Sequence, residues 1–376
     1  MPNHTGKPPF RADHVGSLLR PAELIDARYA AGAAKPSEAQ LTEMEDRFIP
    51  DAIALQEKVG LQSITDGEFR RGSFRSPVVS RIDGFKTVPQ DPVWAARDSD
   101  GHSHPLGDAP VAVARLQRNR GIATDEFAFL KDHTSRTPKV CLPAPSYHYF
   151  YRAPDEGPYP DPDEYVEDLI RIYREELAEL AGMGARYVQF DEVIQAYLCD
   201  ERIRGVVRSR GDDPDRLSQL YVDMINRIIE GRPDDMTVAV HFCRGNSMGR
   251  WVAEGGYDPV SEIVFGGLQA DALFMEYDSP RAGDFGPLRH VPDGKVVVLG
   301  LVSTKSGALE SKDDLKRRID EATAFVPLDR LCLSPQCGFA SRDKGNPVTV
   351  EDEIAKLSLV VEVATDVWGG VLPSRG

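Results

Sequence analysis

The chain has 376 residues, with 45 Lys and Arg against 60 Asp and Glu, a net charge of −15 and 41% hydrophobic content. That balance excludes a general nucleic-acid or anionic-membrane binder, because a surface of this sign repels phosphate, and it fits an ordinary globular protein with a sizeable core. Met1 to Phe10 lacks the apolar run of a secretion signal, no stretch approaches the roughly 20 apolar residues of a spanning helix, and five cysteines are too few for a disulfide scaffold, so a cytoplasmic protein with reduced thiols is expected.

Short apolar, β-branched runs recur along the chain at Ala12 to Ser17, Ser63 to Glu68, Lys139 to Ala144 and Arg186 to Glu192. Four more follow at Thr237 to Cys243, Ala272 to Tyr277, Val296 to Val302 and Leu331 to Cys337. Helical spacing separates most of them. Ser37 opens one helix with the capping-box spacing to Gln40, and Leu41, Met44, Phe48, Ala52 and Leu55 continue it. A second runs from about Asp163 to Gly182. A third starts at about Pro214, with Asp213 placed to cap it and Gly231 to stop it.

Eight strands alternating with helices predict a single (β/α)8 TIM barrel over residues 1–376, with an N-terminal helical extension. Residues 85–137, rich in Pro, Gly, Asp and His, break the rhythm and are expected to form an inserted excursion near the barrel mouth.

The sharpest chemical constellation is His241-Phe242-Cys243 at one strand end, Glu276 at the next and Cys337 at the last. C-terminal strand ends of a barrel converge on one mouth, and residues two apart on a strand share a side. Two thiolates, an imidazole and a carboxylate form a tetrahedral donor set suited to Zn²⁺. The competing reading makes Cys243 and Cys337 inert small core residues.

These residues resemble the zinc site of the cobalamin-independent methionine synthase family, in its C-terminal catalytic barrel. His14-Val15-Gly16-Ser17, Asp66-Gly67-Glu68, Gln189-Phe190-Asp191-Glu192 and Ser334-Pro335-Gln336-Cys337-Gly338 resemble further family segments in the same order, from Arg11 to Gly369. The resemblance implies a zinc-dependent transfer of a methyl group from 5-methyltetrahydrofolate to the thiol of homocysteine. It also implies that Glu68 and Asp191 hold the substrate ammonium group and that Ser17 receives its carboxylate. Read alone, Glu68 also fits a cap and Asp191 a structural ion pair; Glu192, on the other side of its strand, is at most a supporting residue.

Two departures touch the donor side. The family's Asp-x-His-Ser loop reads Ser303-Thr304-Lys305-Ser306 here, which puts Lys305 at the position of a histidine implicated in protonating the folate leaving group. Lysine, with a reference pKa near 10.4, is a poorer donor at neutral pH, and an anion-binding or a solvated Lys305 is the alternative. Counting from Pro143, Tyr149 replaces the tryptophan that packs on the pterin. His14 is a spare acid candidate.

The rival enzyme reading keeps the metal and changes the substrates, as in epoxyalkane:coenzyme M transferases. There Glu68 and Asp191 would lack a cation, and one or more of Arg11, Arg70, Arg71 or Lys305 would gain a sulfonate. A zinc-stabilised binding protein is the non-enzymatic rival. The expected partners are a small thiol and a methyl donor, with no nucleic acid and no membrane; the sequence leaves the oligomeric state open.

Overall fold

In the computed structural model, which describes residues 6–152 and 157–372, six strands form one continuous parallel sheet. In order these are Val140–Pro143, Tyr187–Glu192, Thr237–Phe242, Ala272–Glu276, Val296–Val302 and Leu331–Pro335. Two short staves complete a TIM barrel. Ala12 bridges in parallel to Leu333, and Ser63–Ile64 pairs with Thr137–Pro138 just ahead of the Val140 strand.

The first two expected strands are shorter than their apolar runs. Their ladders stop at Ala12 and Ile64, and the chain then turns through Gly16 (φ 143°), Gly67 (φ 68°) and Glu68 (φ 59°), a region that ends extended structure. Across this seam Thr65 Oγ1 donates to the Gly16 carbonyl at 2.6 Å and Leu18 N to the Gly67 carbonyl at 3.1 Å. The departure from a regular strand is what lifts Ser17 and Glu68 onto loops at the mouth.

Period-two alternation sorts the remaining strand residues. Val15, Tyr187, Ala239, Ala272, Phe274, Val298 and Cys332 pack inside the barrel. The intervening Val188, Phe190, Val238, Val240, Leu273 and Met275 join the core under the helices. Burial on both faces explains why these strands read as near-continuous apolar runs.

The helices start and stop where local chemistry directs. Ser37 and Gln40 form the reciprocal capping box of Glu38–Val59, and Asp213 accepts from Asp215 N and Arg216 N at the start of Pro214–Ile229. Pro162–Met183 ends at Gly184 with φ 100°. No described helix is long and apolar enough to cross a membrane.

Within residues 85–137 the chain builds much of an antiparallel hairpin, Ile82–Pro89 against Asp108–Arg118, followed by the helix Thr124–His133. A register shift between Asp83 and Phe85 breaks the alternation, which is why no period-two signal marks this hairpin in the sequence.

Candidate active site

Asp191 and His241 face inward at adjacent positions on neighbouring strands, and Cys243 follows two residues later. Cys337 lies just beyond the last strand. The donor atoms of His241, Cys243 and Cys337 lie within 4.8 Å of one another, and the two sulfurs are 3.5 Å apart. All three residues are buried. Asp191 Oδ1 is 3.0 Å from His241 Nδ1, and the Gln336 carbonyl is 3.1 Å from Nε2. A carboxylate thus orients an imidazole beside two thiols, a donor group that could hold a metal ion. The hydrogen bond from Cys243 lowers the Cys337 thiol to about 6 against the effect of burial, with His241 adding to it, while Cys243 is raised.

Glu276 stands apart from this group. Its Oε2 accepts from Arg244 N at 2.7 Å, and Oε1 faces Lys305 Nζ at 3.1 Å and Arg281 Nη2 at 3.4 Å. Burial alone would raise its pKa; Lys305, Arg244 and Arg281 together overcome that and hold it at about 2. Lys305 is equally occupied, since Nζ also lies 3.3 Å from Asp278 Oδ2. Burial works against its charge, but the two carboxylates raise its pKa.

Facing the thiols across the same cavity, the carboxylates of Glu68 and Asp191 converge with Cys141 to within 4.8 Å. Glu68 Oε2 is buried without a hydrogen-bond partner. Arg71, 3.6 Å from it, is committed to Glu126 through Nε at 3.0 and 3.1 Å. Burial first, and Asp191 next among the groups that raise it, push Glu68 up to about 7. Ser17 Oγ accepts from Ala340 N at 3.4 Å, and a Cβ on Gly338 would fall 2.0 Å from that oxygen, so only glycine fits beside it. The cavity holding these groups measures about 80 Å³.

A family model described as "Cobalamin-independent synthase, Catalytic domain" matches residues 10–366. The chain belongs to this family. It is 40% identical over 365 residues to the uncharacterized protein YxjH of Bacillus subtilis, covering 96% of each chain. It is 23% identical over 330 residues to methionine synthase of Pyrococcus furiosus, covering 88% of this chain and 86% of that one. The crystal structure of the putative vitamin-B12 independent methionine synthase from Listeria monocytogenes superposes with a TM-score of 0.73 at 30% identity, covering 96% of this chain and 99% of that one.

Of the residues the sequence singles out, Ser17, Glu68, Asp191, His241, Cys243 and Cys337 line one cavity. Glu276 and Lys305 pair with each other beside it. Tyr149 is not brought to it: its ring packs 6.0 Å from Tyr165 and 6.2 Å from Tyr221, under Arg152. Tyr147 lines the cavity instead. Two residues along the helix Pro145–Phe150 amount to about 200° of rotation, so Tyr147 and Tyr149 face opposite ways. His14 is buried, bonded through Nε2 to the Ser63 carbonyl at 3.2 Å and depressed to about 4 by burial and then Lys139, which keeps it neutral. Sequence reading missed Gln336, whose carbonyl meets His241, and Arg75, Tyr197 and Arg342 in the cavity wall. The Gln336 contact is made by backbone, which carries no residue-type signal.

Proposed function

We propose that this chain is a zinc-dependent S-methyltransferase that moves a methyl group from 5-methyltetrahydrofolate, or a related donor, to the thiol of homocysteine, forming methionine. The observation that carries this reading is one cavity walled by a His-Cys-Cys donor group on one side and by two buried carboxylates without a lysine or arginine hydrogen-bonded to either on the other.

His241, Cys243 and Cys337 are the residues that would hold zinc, and a buried thiol and imidazole set fits its borderline-soft character. When bound, the ion supplies positive charge that stabilises a substrate thiolate at neutral pH. Glu68 and Asp191 bind the ammonium group of the amino acid, for which Glu68 Oε2 is already desolvated and accepts no hydrogen bond among the described residues. Ser17 binds its carboxylate. Asp191 also fixes the His241 ring, so the ammonium site and the metal corner share one side chain.

In the transfer, the bond from carbon to the acceptor sulfur forms as the bond from carbon to N5 of the folate breaks. N5 keeps the electron pair and takes up a proton, and the thiol proton has left beforehand. Lys305, pinned by two carboxylates at a raised pKa, is assigned to holding Glu276 rather than to donating that proton.

The coenzyme M alternative asks for a free cation among Arg11, Arg70, Arg71 and Lys305. These four are engaged, Arg11 with the Leu331 carbonyl at 2.8 Å, Arg70 with Asp46, Arg71 with Glu126 and Lys305 with Glu276, whereas Arg75 and Arg342 in the cavity wall have no carboxylate partner among the described residues, so the product assay decides between the two readings. The test is a product assay on metal-quantified protein, with homocysteine and 5-methyltetrahydrofolate in one arm and coenzyme M with a short epoxide in the other. Methionine that disappears in Cys243→Ser is the expected result; product from the epoxide arm alone would overturn it.

A further inference from the structure

The methyl-transfer reading leaves one wall of the cavity unused. Arg75, on the loop beyond Glu68, and Arg342, on the loop beyond Cys337, both line it. Among the described residues their hydrogen bonds go only to neutral acceptors: Arg75 Nη1 donates to the Tyr147 hydroxyl and Arg342 Nη2 to the Leu106 carbonyl. Most arginines on neighbouring segments are neutralised. Arg28 and Arg70 meet Glu45, Arg71 meets Glu126 and Arg81 meets Asp125.

Arg342 feels the charge of Arg75. Burial depresses the pKa of Arg342, and the charge of Arg75 depresses it further. Two half-buried like charges with no carboxylate hydrogen-bonded to either among the described residues, and only Asp343 nearby to offset Arg342, are unfavourable unless a ligand completes them. Both are held in place. Tyr147 fixes Arg75 and itself packs edge-on to Phe74 at 5.6 Å, and Gln90 Nε2 reaches the same hydroxyl at 3.1 Å. The Leu106 carbonyl, from the turn of the 82–118 hairpin, fixes Arg342.

We propose that Arg75 and Arg342 form an anion subsite for the alkyl donor, taking a carboxylate or phosphate group carried by that donor. The assignment rests on the methyltransferase reading, in which Ser17, Glu68 and Asp191 already account for both charged ends of the acceptor. A planar guanidinium pair suits a carboxylate or phosphate oxygen pair and discriminates against neutral donors.

The test is titration calorimetry on the zinc-loaded protein and on Arg75→Gln, Arg342→Gln and the double variant. The probes are 5-methyltetrahydrofolate, its carboxylate-free analogue 5-methyltetrahydropterin, homocysteine and coenzyme M. Donor affinity is expected to fall about tenfold in each single variant and further in the double, while pterin and homocysteine affinities stay within twofold and zinc content is unchanged. Equal folate affinity in wild type and variants would overturn the proposal. So would a selective loss of homocysteine or coenzyme M affinity, which would give the pair to the acceptor.

If 5-methyltetrahydrofolate does not bind at all, the folate part of the proposed function fails by itself. The subsite is then read with glutarate and with inorganic phosphate, which separate a carboxylate-bearing from a phosphorylated donor. Binding of either that weakens tenfold in the double variant upholds it, and binding of neither overturns it.

Discussion

Two layers of buried charge are stacked inside the barrel, and they are completed differently. Near the N-terminal ends of the strands, Lys139 Nζ lies 3.2 Å from Asp13 Oδ1, which also accepts from Ser63 Oγ at 2.6 Å and His14 N at 2.8 Å. Tyr187 donates to Asp13 Oδ2 at 2.8 Å, and the lysine stands 4.2 Å over the Phe274 ring. Every charge there has protein partners. At the C-terminal ends, Gln189 Oε1 and Gln336 Nε2 are just as buried and have no hydrogen-bond partner among the described residues, and Glu68 Oε2 and Arg71 Nη1 have only each other, at 3.6 Å. Burying an unpaired polar group costs roughly 1–3 kcal/mol, so a layer that leaves hydrogen-bonding positions open is suited to a ligand that completes them. The lower layer is scaffold and the upper layer is receptor.

The largest effects expected are in the upper layer. Cys243→Ser and Cys337→Ser should each lower methionine formation by about 10³-fold or more, the scale on which single members of a catalytic unit act. Bound zinc should drop well below one per chain in each, with an unchanged far-ultraviolet circular dichroism spectrum. Zinc retained at full occupancy would break the assignment of the ligands.

In the lower layer the cost falls on stability instead. Lys139→Met strands the Asp13 carboxylate in the barrel interior and should destabilise the fold by about 3–5 kcal/mol in urea unfolding. A change below 1 kcal/mol would mean that this pair does not anchor the barrel.

Glu68→Gln sharpens the contrast, because it removes a buried carboxylate whose ion-pair partner, Arg71 at 3.6 Å, is committed to Glu126. Homocysteine affinity should fall by about 30-fold, the lower end of what truncating a buried charge contact costs, while unfolding stability at pH 8 holds or rises. Loss of stability with intact affinity would reassign Glu68 to the scaffold.

A pH-dependent effect lies outside both layers. Glu353 accepts from Leu19 N at 2.9 Å, and burial raises its pKa to about 8. A carboxyl with a folded pKa near 8 and an unfolded one near 4.5 keeps in the folded state a proton that the unfolded state releases. The wild type should therefore lose stability steadily as pH rises from 4.5 to 8 through this group. Glu353→Gln keeps an acceptor for Leu19 N and removes that slope, so its melting temperature at pH 8 should exceed the wild-type value by a few degrees while the two converge near pH 4.5.

How much of this was legible in the sequence follows from which interactions are written in residue type. Strand phase is: His241 and Cys243 could be placed on one side because alternation fixes it, whereas Asp191 entered through the family resemblance and its register beside His241 is visible only in the sheet. The capping box at Ser37 and the cap at Asp213 are local and equally readable. The pairing of Glu276 with Lys305 is not, because it depends on a loop bringing residue 305 back over a strand end 29 positions earlier. Tyr149 shows the same limit on a smaller scale. Counting from Pro143 fixes its position in the chain, whereas the helix that begins at Pro145 turns Tyr147, not Tyr149, toward the cavity. The hairpin escaped notice because its bulge erases the alternation that would have announced it.

The most direct test of the receptor layer is zinc K-edge X-ray absorption on the metal-loaded protein, with and without homocysteine. The account predicts two sulfur neighbours around the ion, from Cys243 and Cys337, rising to three when homocysteine is added. A sulfur count that does not change with saturating homocysteine would contradict it.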